Sequence, residues 1–291
     1  MSIKPRSSTR TAPRRIESVS DFVKHVVNWT SEGHRPAAFR GQSFHGWPTL
    51  PKIFRQDVGL YEHEKNAVRD LISVHPQEFR DDETMFDRLV RMQHFDLPTR
   101  LLDVTTNPLV ALYFATAEHV DSGEPQNGKV QAFFVPQVRQ RYYDSDRVSC
   151  MANLANLTAN EKENIAKACQ LPKAEFNDNE AVKRLLWFVR IEKPHFEPKI
   201  DPGDLRLPVF VKPKMSNRRI IAQSGAFIVY GTRRRPSGPD KDLRIRRVLI
   251  PAGKKAEIKR QLEFLGIHAS SLFPEIDKAA DFVLRKYTNG A

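Results

Sequence analysis

Apolar positions recur at helical spacing in several windows of the chain. Phe22, Val23, Val26, Val27 and Trp29 form one stripe behind a cap at Ser18 or Ser20. Ala67, Val68, Leu71 and Ile72 form a second within 62–74, and Met85, Phe86, Leu89, Val90 and Met92 a third within 82–95. Short apolar or alternating runs predict strands at 36–39, 99–104, 130–135, 209–212, 227–230 and 243–250, with a turn at 122–128 and an exposed loop at 233–239. In the last strand Arg244, Arg246 and Arg247 predict one solvated face. Residues 137–200 read as a helical insertion. One of its helices starts at Thr158 with a capping-box glutamate, Glu161, and another runs from Asn179 to before Pro194 with Trp187 and Phe188 assigned to core. A basic helix at 254–265 and an amphipathic one at 274–287 complete the set. Runs of strands interrupted by helical pairs predict an α+β fold of small mixed or antiparallel sheets with surrounding helices.

The densest set of consistent signals lies in 93–117. Pro98 closes a turn, and Thr99–Val104 reads as a strand interrupted by Arg100 and Asp103. Thr105, Thr106 and Asn107 offer capping oxygens before Pro108, which stands where the first helical residue belongs. A strand entering a helix start presents free N–H groups suited to an anion such as phosphate.

Composition fits a globular chain of 291 residues, 40% of them hydrophobic. Residues 1–15 carry five basic groups, no acid and no apolar period, and read as a disordered basic arm; 16–291 read as one domain. No apolar run approaches the ~18 residues that span a membrane. The two cysteines, Cys150 and Cys169, support neither a disulfide framework nor a cysteine zinc site, so a reducing, cytoplasmic setting is expected. Charge sharpens this picture. Residues 212–260 hold fifteen Lys and Arg against three Asp and Glu, as much net positive charge as the whole chain's +12. Such segregation points to a polyanion partner, with Arg218, Arg219, Arg233, Arg234, Arg235, Arg244 and Arg246 as candidate nucleic-acid contacts.

For chemistry, Arg40 beside Gly41 and Gln42 ends a strand with a guanidinium fork that suits carboxylate or phosphate. Arg100 and Asp103 face opposite sides of a regular strand, so at most one serves a given pocket. Asp103 either pairs structurally, with Arg40 as a candidate partner, or works in a site. His45 and His94 lack metal-ligand spacing, and no metal site is expected.

These pieces together resemble the FRG-domain family. The matching residues are Phe39-Arg40-Gly41-Gln42, the run QHFDLPTRLLDVTTNPLVALYFA from Gln93 to Ala115, the segment from Arg219 to Phe227, and Leu272-Phe273-Pro274. Val104 stands where the family has an aromatic, and Phe95-Asp96 where it has Tyr-Gly. The order of the elements also resembles, more distantly, ADP-ribosyltransferase folds. That resemblance implies NAD as substrate, held by Arg40, Gly41, Gln42, Thr99, Arg100, Thr105 and Asn107. It implies chemistry at Asp103 and Gln223, where Gln223 replaces the family's late-strand glutamate and Asp103 takes over its electrostatic work. The expected function is ADP-ribosyl transfer to a macromolecule in a toxin or antiphage role. The alternatives are a non-catalytic nucleotide- or nucleic-acid-binding module, and a polyanion-binding structural protein.

Overall fold

The strand read at 130–135 is the spine of the sheet. Gly128–Phe134 (β6) is buried along its whole length, because β10 (Arg244–Ile250) pairs with it on one side and β2 (Ala38–Gln42) on the other. A computed structural model describes residues 13–31, 35–215, 217–232 and 244–274. The remaining strands are β1 (Arg14–Arg15), β3 (Leu101–Thr105), β4 (Val120–Asp121), β5 (Glu124–Pro125), β7 (Gln140–Tyr142), β8 (Val209–Lys212) and β9 (Gly225–Val229). Among the described residues, eight of these strands form one mixed sheet in the order β1-β10-β6-β2-β3-β9-β8-β7, while β4 and β5 make a separate hairpin. The pairs β1–β10 and β7–β8 at the two edges are parallel and the inner pairs antiparallel. The α+β class therefore holds, but one large sheet replaces the several small ones expected. The strands are short, and only their register, absent from local sequence, shows that each continues the last.

Helices α1 (Val19–Ser31), α2 (Glu64–Val74), α3 (Met85–His94) and α4 (Pro108–Ala115) come from the first half of the chain. Residues 137–200, read as a helical insertion, supply α5 (Asp146–Asn153), α6 (Ala159–Ala168), α7 (Lys173–Asp178) and α8 (Glu180–Glu192) but also the sheet's edge strand β7. Then follow α9 (Pro202–Arg206), α10 (Arg218–Ala222), α11 (Lys255–Phe264) and α12 (Ala269–Leu272). The capping residues act as read: Asn107 accepts from Leu109 N, Asn179 from Ala181 N, and Thr158 forms a full capping box with Glu161. None of the helices among the described residues is long and apolar enough to cross a membrane.

One face of the sheet carries two cores. Leu89, Leu101, Phe227 and Val229 join α3, α5 and α8 in the first; Phe22, Phe39, Leu112, Val130 and Leu262 join α1, α4 and α11 in the second. Between them lie the middles of β2, β3 and β9, and that gap holds the candidate site. Gly41 sets how closely the second layer approaches. A Cβ there would stand 1.8 Å from the Ala111 carbonyl oxygen, so α4 packs backbone-to-backbone on β2. The glycine thus serves a helix contact as well as the cleft.

A buried triad ties α6 to α2 and to the residue that precedes β3. Arg100, wholly buried, donates to Glu64 through Nε (3.0 Å) and Nη2 (2.5 Å), and Lys162 on α6 donates to the same carboxylate at 2.9 Å. Burial alone would raise the Glu64 pKa, but the two cations outweigh it and hold the carboxyl below its usual range.

Several expectations change. Arg14 and Arg15 pair with Val248 and Leu249, so the arm's last two residues are strand. Trp187 is 52% exposed, whereas Phe188 is core as read. Arg244 and Arg246 lie over the Phe134 ring at 5.6 and 5.5 Å, while strand alternation sends Arg247 to the opposite face, so the three share no single face. Residues 1–12, Arg233, Arg234 and Arg235 with their loop, and 275–287 of the terminal helix lie outside the described residues.

Candidate functional site

β2 and β3 share one registered pair, Phe39 opposite Thr105. The guanidinium of Arg40 donates through Nη1 to the main-chain carbonyl of Asp103. Its carboxylate partner is more distant, Nη1 to Asp103 Oδ2 being 4.0 Å. Burial opposes the Arg40 charge, Asp103 supports it and Arg55 opposes it; the net effect lowers the pKa from its ordinary value, though a guanidinium stays protonated.

Asp103 keeps its carboxylate open: its side chain is 56% exposed, against 19% for Arg40. A short relay orients it. Thr99 Oγ1 donates to Gln93 Oε1 at 2.7 Å, and Gln93 Nε2 donates to Asp103 Oδ2 at 2.8 Å. The side-chain amide of Gln93 is thereby fixed, with its N–H directed at the acid.

On the other flank, Thr105 Oγ1 donates to the Gln223 carbonyl at 2.7 Å and accepts from Asn107 N at 3.0 Å. Gln223 ends α10 and is followed by Ser224 in the left-handed region (φ 47°), which turns the chain into β9. Its Nε2 donates to the Leu272 carbonyl at 3.1 Å. Phe273, next in the chain, meets Phe114 edge-on at 6.0 Å and lies under the Arg219 guanidinium at 5.1 Å. The Leu272-Phe273-Pro274 segment therefore fastens one wall of the site.

Together these groups enclose an open cleft of about 250 Å³. Arg40, Gly41, Asp103, Thr105 and Gln223 all line it, although far apart in the chain. The remaining residues read as NAD contacts do not line it. Arg100 sits in the buried triad with Glu64 and Lys162, Thr99 supports Gln93, Asn107 caps α4, and Gln42 is buried at 3% exposure. Arg219, read as a nucleic-acid contact, lines the cleft, and Arg218 is exposed on the same helix. The basic window is also divided: Lys212 on β8 and Arg244 on β10 are five strand spacings apart, about 24 Å.

Lys52, Gln93, Asp96 and Phe114 line the cleft without having been singled out for it. Asp96 follows α3 in the left-handed conformation (φ 63°), which Asp tolerates better than most residues. Gln93 and Lys52 carry no spacing that betrays them.

Residues 35–124 match the family model described as FRG domain. They span β2 to the β4–β5 hairpin, and so hold Arg40, Gln93 and Asp103 but not Gln223. No curated protein and no solved structure matches the chain.

Proposed function

With an FRG domain at residues 35–124 as the premise, we propose that the cleft binds NAD and that the protein transfers ADP-ribose to a macromolecular acceptor. The observation that carries this reading is the meeting of Arg40, Asp103 and Gln223 at one open cleft. Arg40 supplies the phosphate contact, and the open Asp103 carboxylate faces the positive charge that develops on the ribose as the bond to nicotinamide breaks. The bonding pair leaves with nicotinamide, and an acceptor lone pair forms the new bond to the same carbon while its proton passes to Asp103 or water. Gln223, a neutral amide committed to Leu272, serves as a positioning group and not as a base. At about 250 Å³ the cleft falls below the ~300 Å³ at which drug-sized ligand pockets begin, so it holds the nicotinamide-ribose-phosphate half with the adenosine outside. A toxin or antiphage setting belongs to the same proposal.

Incubation with nicotinamide-labelled NAD tests it. Nicotinamide release that falls about 100-fold or more in Asp103→Ala and in Arg40→Ala supports transfer. Cleft size and the tethered Gln223 favour a second reading, a nucleotide-binding module. Saturable binding with no release in the unmodified protein decides for that one.

A further inference from the structure

The outer face of the sheet carries positive charge that extends beyond the cleft's own Arg40 and Lys52. Arg247, Gln131 and Arg40 stand side by side across β10, β6 and β2, and Lys129 is opposite Gln42 in the next row. The segment crossing this face adds Arg55, and Lys52, exposed at the cleft wall. Among the described residues, the charges acting on the Lys129 ammonium are Arg247, Arg40 and Arg55, all positive. Asp103, 4.0 Å from Arg40, offsets only part of this gathering of like charges, which is relieved when a polyanion lies across it.

Beside these cations stands a built aromatic surface. Phe44 stacks on His119 with centroids 5.0 Å apart and planes at 24°, and Trp47 meets both rings edge-on at 6.0 and 4.8 Å. Trp47 remains 37% exposed. The turn bearing these rings is fastened from three directions. His45 N donates to the Asn127 carbonyl at 2.8 Å. Lys129 Nζ donates to the carbonyls of His45 and Trp47, and Lys255 Nζ to those of Ser43 (2.6 Å) and Ala117 (2.9 Å). Gly41 lines the cleft and Phe44 is three residues on, a reach of at most about 10 Å. Exposed Arg247 and Lys52 and half-buried Arg55, backed by the buried Lys129 and the partly buried Arg40, with a rigid, exposed aromatic beside them, are the two parts of a single-strand binding surface: phosphates follow the charge and a base stacks on the ring.

We propose that this outer face binds single-stranded nucleic acid, with a base on the Trp47–His119 surface and backbone phosphates on Arg55, Arg247 and Lys52. The strand bound there is the acceptor presented to the cleft; that role rests on the transfer reading, whereas the binding stands without it.

Fluorescence anisotropy with labelled single-stranded RNA and DNA of about 12 nucleotides tests the surface directly, within the usual site sizes. Arg55→Glu with Arg247→Glu is expected to weaken binding at least tenfold and to flatten its salt dependence. Lys212→Glu, exposed on β8, changes it less than twofold. Trp47→Ala costs at least fivefold and Trp47→Phe restores most of the loss, while strand addition quenches tryptophan emission in the unmodified protein and not in Trp47→Phe. Melting curves check that each variant is folded. Absence of binding at low salt overturns the proposal, as does equal loss in Lys212→Glu. Heparin binding as tight as the oligonucleotide's, with Trp47→Ala silent, assigns the face to generic polyanions or acidic proteins and also overturns it. Adding labelled NAD to the same mixtures separates the two readings. A bound strand left unlabelled removes the acceptor role alone; nicotinamide release without strand binding removes this surface alone.

Discussion

Arg40 holds Asp103 by its main chain and not by its side chain. Nη1 donates to the Asp103 carbonyl, while the carboxylate oxygen stands 4.0 Å away and takes its close bond from Gln93. A pair serving the core alone would close the ion pair and bury it; here the acid's side chain is 56% exposed.

That relationship separates the two residues' roles. Asp103→Ala leaves the Arg40 anchor intact, so stability should change by no more than about 0.5 kcal/mol. Removing the acid also removes repulsion of phosphate, so ADP affinity measured by calorimetry should hold or rise while any nicotinamide release collapses. Arg40→Ala should lose both. Loss of ADP binding in Asp103→Ala would sink this division of labour.

The Glu64 triad predicts a large stability effect away from the cleft. Glu64→Ala leaves Arg100 and Lys162 buried without their carboxylate, which should cost about 3–5 kcal/mol in urea unfolding. Glu64 titrates below its unfolded value, so its contribution is complete above the unfolded carboxyl pKa of about 4.5 and is lost as pH falls through the lowered one. The acid limb of the stability curve should be shallower in Glu64→Gln than in the unmodified protein.

Lys129 predicts the opposite slope at high pH. Burial and the neighbouring cations Arg247, Arg40 and Arg55 lower its pKa from 10.5 to about 8. Between those two values the unfolded chain holds a proton that the folded protein has released. Stability should therefore rise with pH across that window, by on the order of 2 kcal/mol from this residue. Lys129→Met should lack this rise when urea midpoints at pH 7.5 and 9.5 are compared with those of the unmodified protein.

Gln223→Glu tests whether the missing carboxylate was a catalytic loss or a structural choice. The amide N–H that reaches Leu272 has no counterpart in an ionised glutamate, whose oxygen would face a carbonyl oxygen. The variant should lose about 1–2 kcal/mol and loosen the wall containing Phe273, seen as faster hydrogen exchange at 269–274, with no gain in nicotinamide release. A gain in turnover with unchanged exchange would count against the tether.

Local patterns along the chain sufficed for the elements whose causes are local. Pro108 after Asn107 starts α4, Thr158 with Glu161 starts α6, and the alternation of Arg100 and Asp103 sends one inward and the other to the cleft. Each depends on groups within a few residues, so composition and spacing determine it. What the residues 93–117 could not contain was their partners. Glu64 for Arg100, with Lys162 on the same carboxylate, Gln223 across from Thr105, and Gly41 against Ala111 are fixed by strand register and helix packing, which join residues 36 to 118 positions apart or dictate contact through a missing Cβ. The basic window shows the same limit in reverse: contiguous in sequence, it is divided between β8 and β10, because a sheet places neighbours by hydrogen-bonded pairing and not by chain order.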